Sequence, residues 1–179
     1  AVIEKSTFTY VRQRHKLGLG HAILTGEPLI GNQPFAVILA DDLCDCNANG
    51  VTSQMVEIYN KYQCSVIAIE EIPFTQIEQY GVISGDLIDG TNNTYKVTNM
   101  FEKPNSHDLI KFAEDRADLS KIPSFMAIIG RYILTPDIFD ILKKIKPDKN
   151  GEVQITDALL SQAKKDKVIA YKFKGKRFD

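Results

Sequence analysis

Along the chain, short runs of apolar residues alternate with stretches in which apolar side chains recur every three or four positions. The first kind reads as buried strands and the second as amphipathic helices, and their alternation predicts a layered α/β domain. Phe-Ala-Val-Ile-Leu (35–39) is apolar throughout, which predicts a central strand covered on both faces. Residues 64–70, 124–134 and 168–173 read as further strands, and 8–11 as a short one. Residues 80–84 and 95–101 read as strands joined through the polar turn Asp-Gly-Thr-Asn-Asn (89–93). In 51–62, Met55, Ile58, Tyr59 and Tyr62 fall at helical spacing. Helices are also predicted over 18–30, closed by Gly31-Asn32, and over 106–113 behind a Ser106 cap. Two more run from Pro136 to 145, where proline suits a first turn, and over 154–165. The strands are expected to form a mixed, mostly parallel sheet.

Composition narrows the class without naming it. A chain of 179 residues suffices for one domain with a real core and is short for two. Hydrophobic residues make up 44% and charged residues 25%, ordinary globular values. The net charge of -1 supplies no broad field for nucleic acid or an acidic membrane, although a small charged nucleotide needs only a few local cations. No apolar stretch is long enough for a membrane span. Three cysteines, Cys44, Cys46 and Cys64, form no disulfide framework, so a reducing, cytoplasmic setting is expected. Cys44 and Cys46 lack the second pair that a tetrahedral metal site requires. The chain opens on Ala-Val-Ile-Glu-Lys (1–5), which reads as the tail of a helix, and stops on Phe178-Asp179. A single domain spanning 1–179, incomplete at its N-terminal side, is expected.

Three stretches carry candidate chemistry. A buried strand running into Asp41 and Asp42 delivers a carboxylate to the sheet edge where α/β domains bind ligands. One such carboxylate suits Mg²⁺ held together with phosphate oxygens; the alternative is an aspartate that caps a turn. Gln13 precedes Gly18 and Gly20 at a helix start, where glycines admit a flat base and a glutamine can read its amide edge. The same glycines would equally serve as helix-entry punctuation. Glu102 and Lys103 follow a strand, and the turn before Pro104 decides whether both reach one pocket or form an ordinary exposed pair.

Taken in order, these stretches resemble the bacterial UTP–glucose-1-phosphate uridylyltransferases. The blocks are Tyr-Val-Arg-Gln (10–13), Gly-Leu-Gly-His-Ala (18–22), Ala-Val-Ile-Leu-Ala-Asp (36–41) and Gln-Tyr-Gly-Val (79–82). They continue with Phe-Glu-Lys-Pro (101–104), Ala-Ile-Ile-Gly-Arg-Tyr-Ile-Leu (127–134), Gly-Glu-Val-Gln-Ile-Thr-Asp (151–157) and Gly-Lys-Arg-Phe-Asp (175–179). The resemblance covers nearly the whole chain. It implies a Rossmann-like nucleotidyltransferase domain that forms UDP-glucose and pyrophosphate from UTP and glucose 1-phosphate with Mg²⁺, in a homo-oligomer that binds neither nucleic acid nor membrane. It also implies that Gln13 and Gly18 contact the uracil, Gly81 and Glu102 the glucose, and Lys103 the sugar phosphate. Asp41 corresponds to the metal-binding aspartate and Asp179 to a second metal-binding acid, and Asp41 and Lys103 would carry catalysis. Glu152 and Asp157 are better read as favouring a helix start than as catalysts. The glycine-rich Gly-x-Gly-Thr-Arg segment with which the family holds the triphosphate is not in this sequence. Two rivals share much of this reading: a sister enzyme making a dTDP-, ADP- or GDP-sugar, and a non-catalytic nucleotide-binding module.

Overall fold

The computed structural model describes residues 3–46, 49–105 and 125–178. The predicted helix over 106–113 and the terminal Asp179 lie outside the described residues. The strands are β1 (Phe35–Ile38), β2 (Leu43–Asp45), β3 (Ser65–Ile72), β4 (Val82–Leu87), β5 (Thr94–Phe101), β6 (Phe125–Leu134), β7 (Val168–Lys172) and β8 (Lys176–Phe178). The α-helices are α1 (Gly18–Thr25), α2 (Glu27–Ile30), α3 (Val51–Tyr62), α4 (Asp137–Leu142) and α5 (Ile155–Ala163). Single 3-10 segments cover Ile3–Lys5 and Phe74–Gln79. Gly26 divides the predicted first helix into α1 and α2.

Six strands form one sheet in the order β1-β6-β3-β7-β5-β4, with β4 also reaching β6, and β2 pairs with β8 in a separate ribbon. The sheet is mixed, as expected, but not mostly parallel: β3 with β7 is the one parallel pairing among the described residues. The cause is β6, a strand of 10 residues that runs antiparallel to β1, β3 and β4 at once. The β4–β5 hairpin adds another antiparallel pair. An apolar run records that both faces of a strand are covered, and that says nothing of strand direction.

Strand periodicity builds the core. On β3, Ile67 and Ile69 face one way and pack with Leu159 of α5 and Ile138 and Phe139 of α4. Val66 and Ala68 face the other way, against Val51 and Met55 of α3. Helices therefore cover both faces of the sheet, and a side chain such as Met55, 1% exposed, contributes about 2 kcal/mol through burial.

Two expectations are corrected. β1 is an edge strand whose only neighbour among the described residues is β6, and its side chains alternate in burial, with Ile38 55% exposed. Residues 8–11 form no strand; Phe8, Tyr10 and Val11 are exposed, so nothing covers the face that an apolar strand would need.

Candidate active site

The acidic strand end is held from β6. The Leu39 amide donates to the Gly130 carbonyl at 2.8 Å, extending the β1–β6 ladder by one residue. Arg131 then clamps the turn, donating from Nη1 to the Leu39 carbonyl (3.1 Å) and from Nη2 to the Asp42 carbonyl (2.6 Å). Asp42 turns inward. Its Oδ2 accepts from the Gly130 amide at 2.5 Å, and its Oδ1 accepts from Arg177 Nε. A Cβ on residue 130 would overlap Asp42 and Leu39, so glycine is required there. Asp41 is exposed, and among the described residues its carboxylate has no hydrogen-bond or ion-pair partner. The tandem acids thus divide: Asp42 ties the turn to its surroundings, and Asp41 stays exposed at the cleft.

The hairpin register builds the second group. Val82 pairs with Phe101, so Gly81 and Glu102 sit next to one another just beyond the paired strands. The Gly81 carbonyl accepts from the Ile128 amide at 2.8 Å, which fixes it to β6. A Cβ on residue 81 would lie 3.3 Å from Glu102 Oε2, from Ile128 and from Thr156, so only glycine leaves those three undisturbed. Thr156 Oγ1 donates to Glu102 Oε2 at 3.2 Å. Burial pushes the Glu102 carboxyl above the ordinary glutamate range; the Thr156 hydrogen bond and the charge of Lys103 oppose the shift, and Asp157 and Glu152 reinforce it. Lys103 adopts φ of 42°, unusual for a side chain with a Cβ, and its amide donates to the Tyr80 carbonyl at 3.2 Å. That left-handed residue breaks the strand alternation, and Glu102 and Lys103 both line one cleft.

The cleft has a volume of about 940 Å³. Asp41 lines it on one side and Gly81, Glu102 and Lys103 on the other, with Arg177 and Tyr80 also in its wall. Arg177 lies 4.9 Å from the centre of the Tyr80 ring, a cation–π contact between the two sides. A third wall is the loop before α5, where Asp148 Oδ1 accepts from the amides of Asn150 (2.8 Å) and Glu152 (2.9 Å). Gln13 and Gly18 are not among the lining residues. Gln13 Nε2 lies 3.1 Å from the Gly18 carbonyl and 2.9 Å from His21 Nδ1, so its amide is engaged beside the start of α1. Gly18, at φ of 84°, packs against Glu152 and Val153, and the adjacent Leu19 does line the cleft. Among the described residues no three His, Cys, Asp or Glu side chains gather to hold a metal. The residues that sequence reasoning passed over are Arg177 and Thr156; both stand inside matched motifs, but their contacts are with residues distant in sequence.

A sequence profile of the family described as Nucleotidyl transferase matches residues 3–178. The chain belongs to the nucleotidyl transferase family. It is 51% identical over 179 residues to a UTP–glucose-1-phosphate uridylyltransferase of Pseudomonas aeruginosa, and 41% identical over 175 residues to one of Streptococcus pyogenes. Those alignments cover 99% and 95% of this chain but 59% and 52% of the relatives, so the chain spans little more than half their length. Among solved structures, a UDP-glucose pyrophosphorylase complexed with UDP-glucose superimposes with a TM-score of 0.85 at 54% identity, covering 99% of this chain and 62% of that one. A UTP-bound UGPase from Acinetobacter baumannii follows at a TM-score of 0.73 and 30% identity, over 94% of this chain and 53% of that one. The mixed sheet, with one parallel pairing among the described residues, is the fold that gives these superpositions.

Proposed function

We propose that residues 1–179 form one domain that supplies the sugar-phosphate side and part of the metal site of a UTP–glucose-1-phosphate uridylyltransferase. The observation that carries this is the meeting of Asp41 with Gly81, Glu102 and Lys103 around one cleft. The names of the Pseudomonas and Streptococcus relatives point to the same reaction.

In that reaction an oxygen of the glucose 1-phosphate phosphate attacks the α-phosphorus of UTP. The new P–O bond forms as the bond from the α-phosphorus to the bridging oxygen breaks, and pyrophosphate leaves in line. The attacking group is already an anion, so no side-chain nucleophile is required; orientation and charge neutralisation lower the barrier. Glu102 accepts hydroxyls of the glucose, beside the close approach that Gly81 permits. Lys103, free of any salt bridge among the described residues, holds the sugar phosphate. Gln13 and Gly18 contact the uracil; the wild-type hydrogen bonds of Gln13 would then have to be exchanged for bonds to the base. The donor set at Asp41, one unpartnered carboxylate facing a cleft, fits Mg²⁺, which takes one or two carboxylates and fills its shell with phosphate oxygens and water. Asp179 would be the second acid. When bound, the ion neutralises charge on the transferring phosphate. The free thiols of all three cysteines suit a cytoplasmic protein, and no described helix is long and apolar enough to cross a membrane.

The test is a chimera in which residues 1–179 replace the matching stretch of the Pseudomonas aeruginosa relative, termed the completed enzyme below. Magnesium-dependent pyrophosphate release from UTP and glucose 1-phosphate, with dTTP, ATP and GTP turned over more slowly, is expected. Release that is equal with another nucleotide, or absent while UDP-glucose fails to bind, overturns the proposal. Sedimentation of the same protein tests the expected homo-oligomer.

A further inference from the structure

We infer that Thr156 is a positioning residue for sugar selection: it holds the Glu102 carboxylate in the orientation that presents its second oxygen to the substrate. This rests on the sugar-phosphate reading of the cleft. The Thr156 hydroxyl donates to Glu102 Oε2 at 3.2 Å and to no other acceptor among the described residues. Thr156 is 4% exposed, so its hydroxyl cannot exchange that partner freely for water. It belongs to the first turn of α5, whose Ile155, Ala158 and Leu159 are buried in the main core, so its backbone is fixed independently of any ligand. The space over Gly81 is bounded by Glu102 Oε2 and by the Thr156 methyl at the same 3.3 Å from a hypothetical Cβ. One wall of that space is therefore made by the two side chains together. A threonine can do this where a valine of the same shape cannot, because the hydroxyl fixes one carboxylate oxygen and leaves Oε1 for a sugar hydroxyl.

The charges around Glu102 make the role visible. Lys103, the second residue after β5, favours the ionised form of Glu102, and Asp157 on α5 and Glu152 in the preceding loop disfavour it. On β6, the Tyr132 phenol is buried and is itself held neutral in part by the charge on Glu102. The Thr156 hydrogen bond is the largest contribution that favours the carboxylate. A sugar hydroxyl donates best to the ionised form, so affinity falls as pH drops through the Glu102 titration. Removing the hydroxyl moves that titration further up.

The experiment compares Thr156→Val and Thr156→Ser in the completed enzyme. We expect Thr156→Val to raise KM for glucose 1-phosphate about tenfold with little change in kcat or in KM for UTP. Its acidic limb for sugar-phosphate KM should move to higher pH, and its preference for glucose 1-phosphate over galactose 1-phosphate should narrow. Thr156→Ser should restore all three. Thermal melts of the variants separate these effects from unfolding, and if the valine variant is unstable Thr156→Ala, which also lacks the hydroxyl, carries the test. Wild-type sugar KM, pH limb and selectivity in a folded Thr156→Val enzyme overturn the inference and leave the function standing. A serine variant that behaves like the valine variant overturns it too, since packing rather than the hydroxyl would then be responsible. A folded completed enzyme that neither turns over nor binds UDP-glucose sinks the functional reading and this inference together.

Discussion

Arg177 donates its Nε hydrogen to Asp42 Oδ1 in a pair whose side chains are 8% and 9% exposed, joining the turn after β1 to the last strand of the chain. The pair leaves Asp42 no freedom to ligate a metal and gives Asp41 a fixed stalk. Asp42→Asn keeps an oxygen for the Gly130 amide but takes away the nearest charge partner of a buried guanidinium, leaving it the longer 3.7 Å contact with Glu70. We expect a loss of about 3 kcal/mol in urea unfolding. Asp41→Asn should unfold like the wild type while the completed enzyme loses nearly all turnover at saturating magnesium. Equal stability of the two variants would show that the acids are interchangeable.

At Lys103 stability and function should separate. A non-glycine residue at φ of 42° carries a local conformational cost. Lys103→Gly removes it and is expected to raise stability by about 1 kcal/mol, while removing the ammonium proposed above to hold the sugar phosphate. Lys103→Ala keeps the backbone cost and loses the same charge. Both variants should weaken glucose 1-phosphate and other sugar phosphates alike in titration calorimetry. Retained affinity in either one means that the lysine points away from the phosphate.

How far these features were legible depended on whether they are local. A continuous apolar run located β3, which is packed on both faces, and the period of 3.6 located α3, which packs one apolar face against the core. The direction of β6 was not legible, since burial on two faces leaves no mark of which neighbours run parallel. β2 and β8, each 3 residues long, are too short for a period to register. Residues 8–11 show the converse, an apolar stretch that the structure leaves exposed. In the candidate site, Asp41, Glu102 and Lys103 stood out because each follows a strand, and Gly81 entered through the resemblance alone. Thr156 and Arg177 did not, because they act through partners 54 and 135 residues away in sequence.

Glu102 should cost the fold something at neutral pH. Its folded carboxyl titrates above the ordinary range, chiefly through burial, so the folded state binds the proton more tightly than the unfolded chain does. Stability from this group is present below the unfolded pKa and is lost as pH rises through the folded one. Glu102→Gln is neutral throughout. It should melt higher than the wild type at pH 7 and lose that advantage near pH 4, while discriminating glucose less well. A lower melting temperature at pH 7 would contradict the direction of the shift.

Cysteine reactivity reports burial directly. Burial pushes the Cys64 thiol up to about 11, so at pH 8 it is almost wholly protonated and also covered. Cys44 and Cys46 are only half-buried. Ellman's reagent should label Cys44 and Cys46 in the native protein and reach Cys64 only after denaturation. Rapid labelling of a Cys44→Ser, Cys46→Ser double variant at pH 8 would mean that the packing around Cys64 opens readily.

Residues 1–179 by themselves should not form UDP-glucose. The sequence contains no Gly-x-Gly-Thr-Arg segment, and the chain spans 59% of the length of the Pseudomonas aeruginosa relative. The cleft therefore offers Asp41 and Lys103 but no glycine-rich backbone cradle to align a triphosphate for in-line attack. Lost alignment alone removes several kcal/mol of catalysis, enough to take the rate below detection. The fold adds a second difficulty. β1 leads into the turn that bears Asp41, and among the described residues it is paired on one side only, with Ile38 55% exposed. An edge strand with unpaired amides and carbonyls recruits other chains, and exposed Phe8, Tyr10 and Val11 add apolar surface to the same tendency. Light scattering on the isolated chain should show association that the completed enzyme lacks. Assayed together with magnesium, UTP and glucose 1-phosphate, the completed enzyme should release pyrophosphate and the isolated chain should not. Measurable release from the isolated chain would mean that triphosphate alignment comes from residues within 1–179, and the loop bearing Lys149 and Asn150 in the cleft wall would be the first place to mutate.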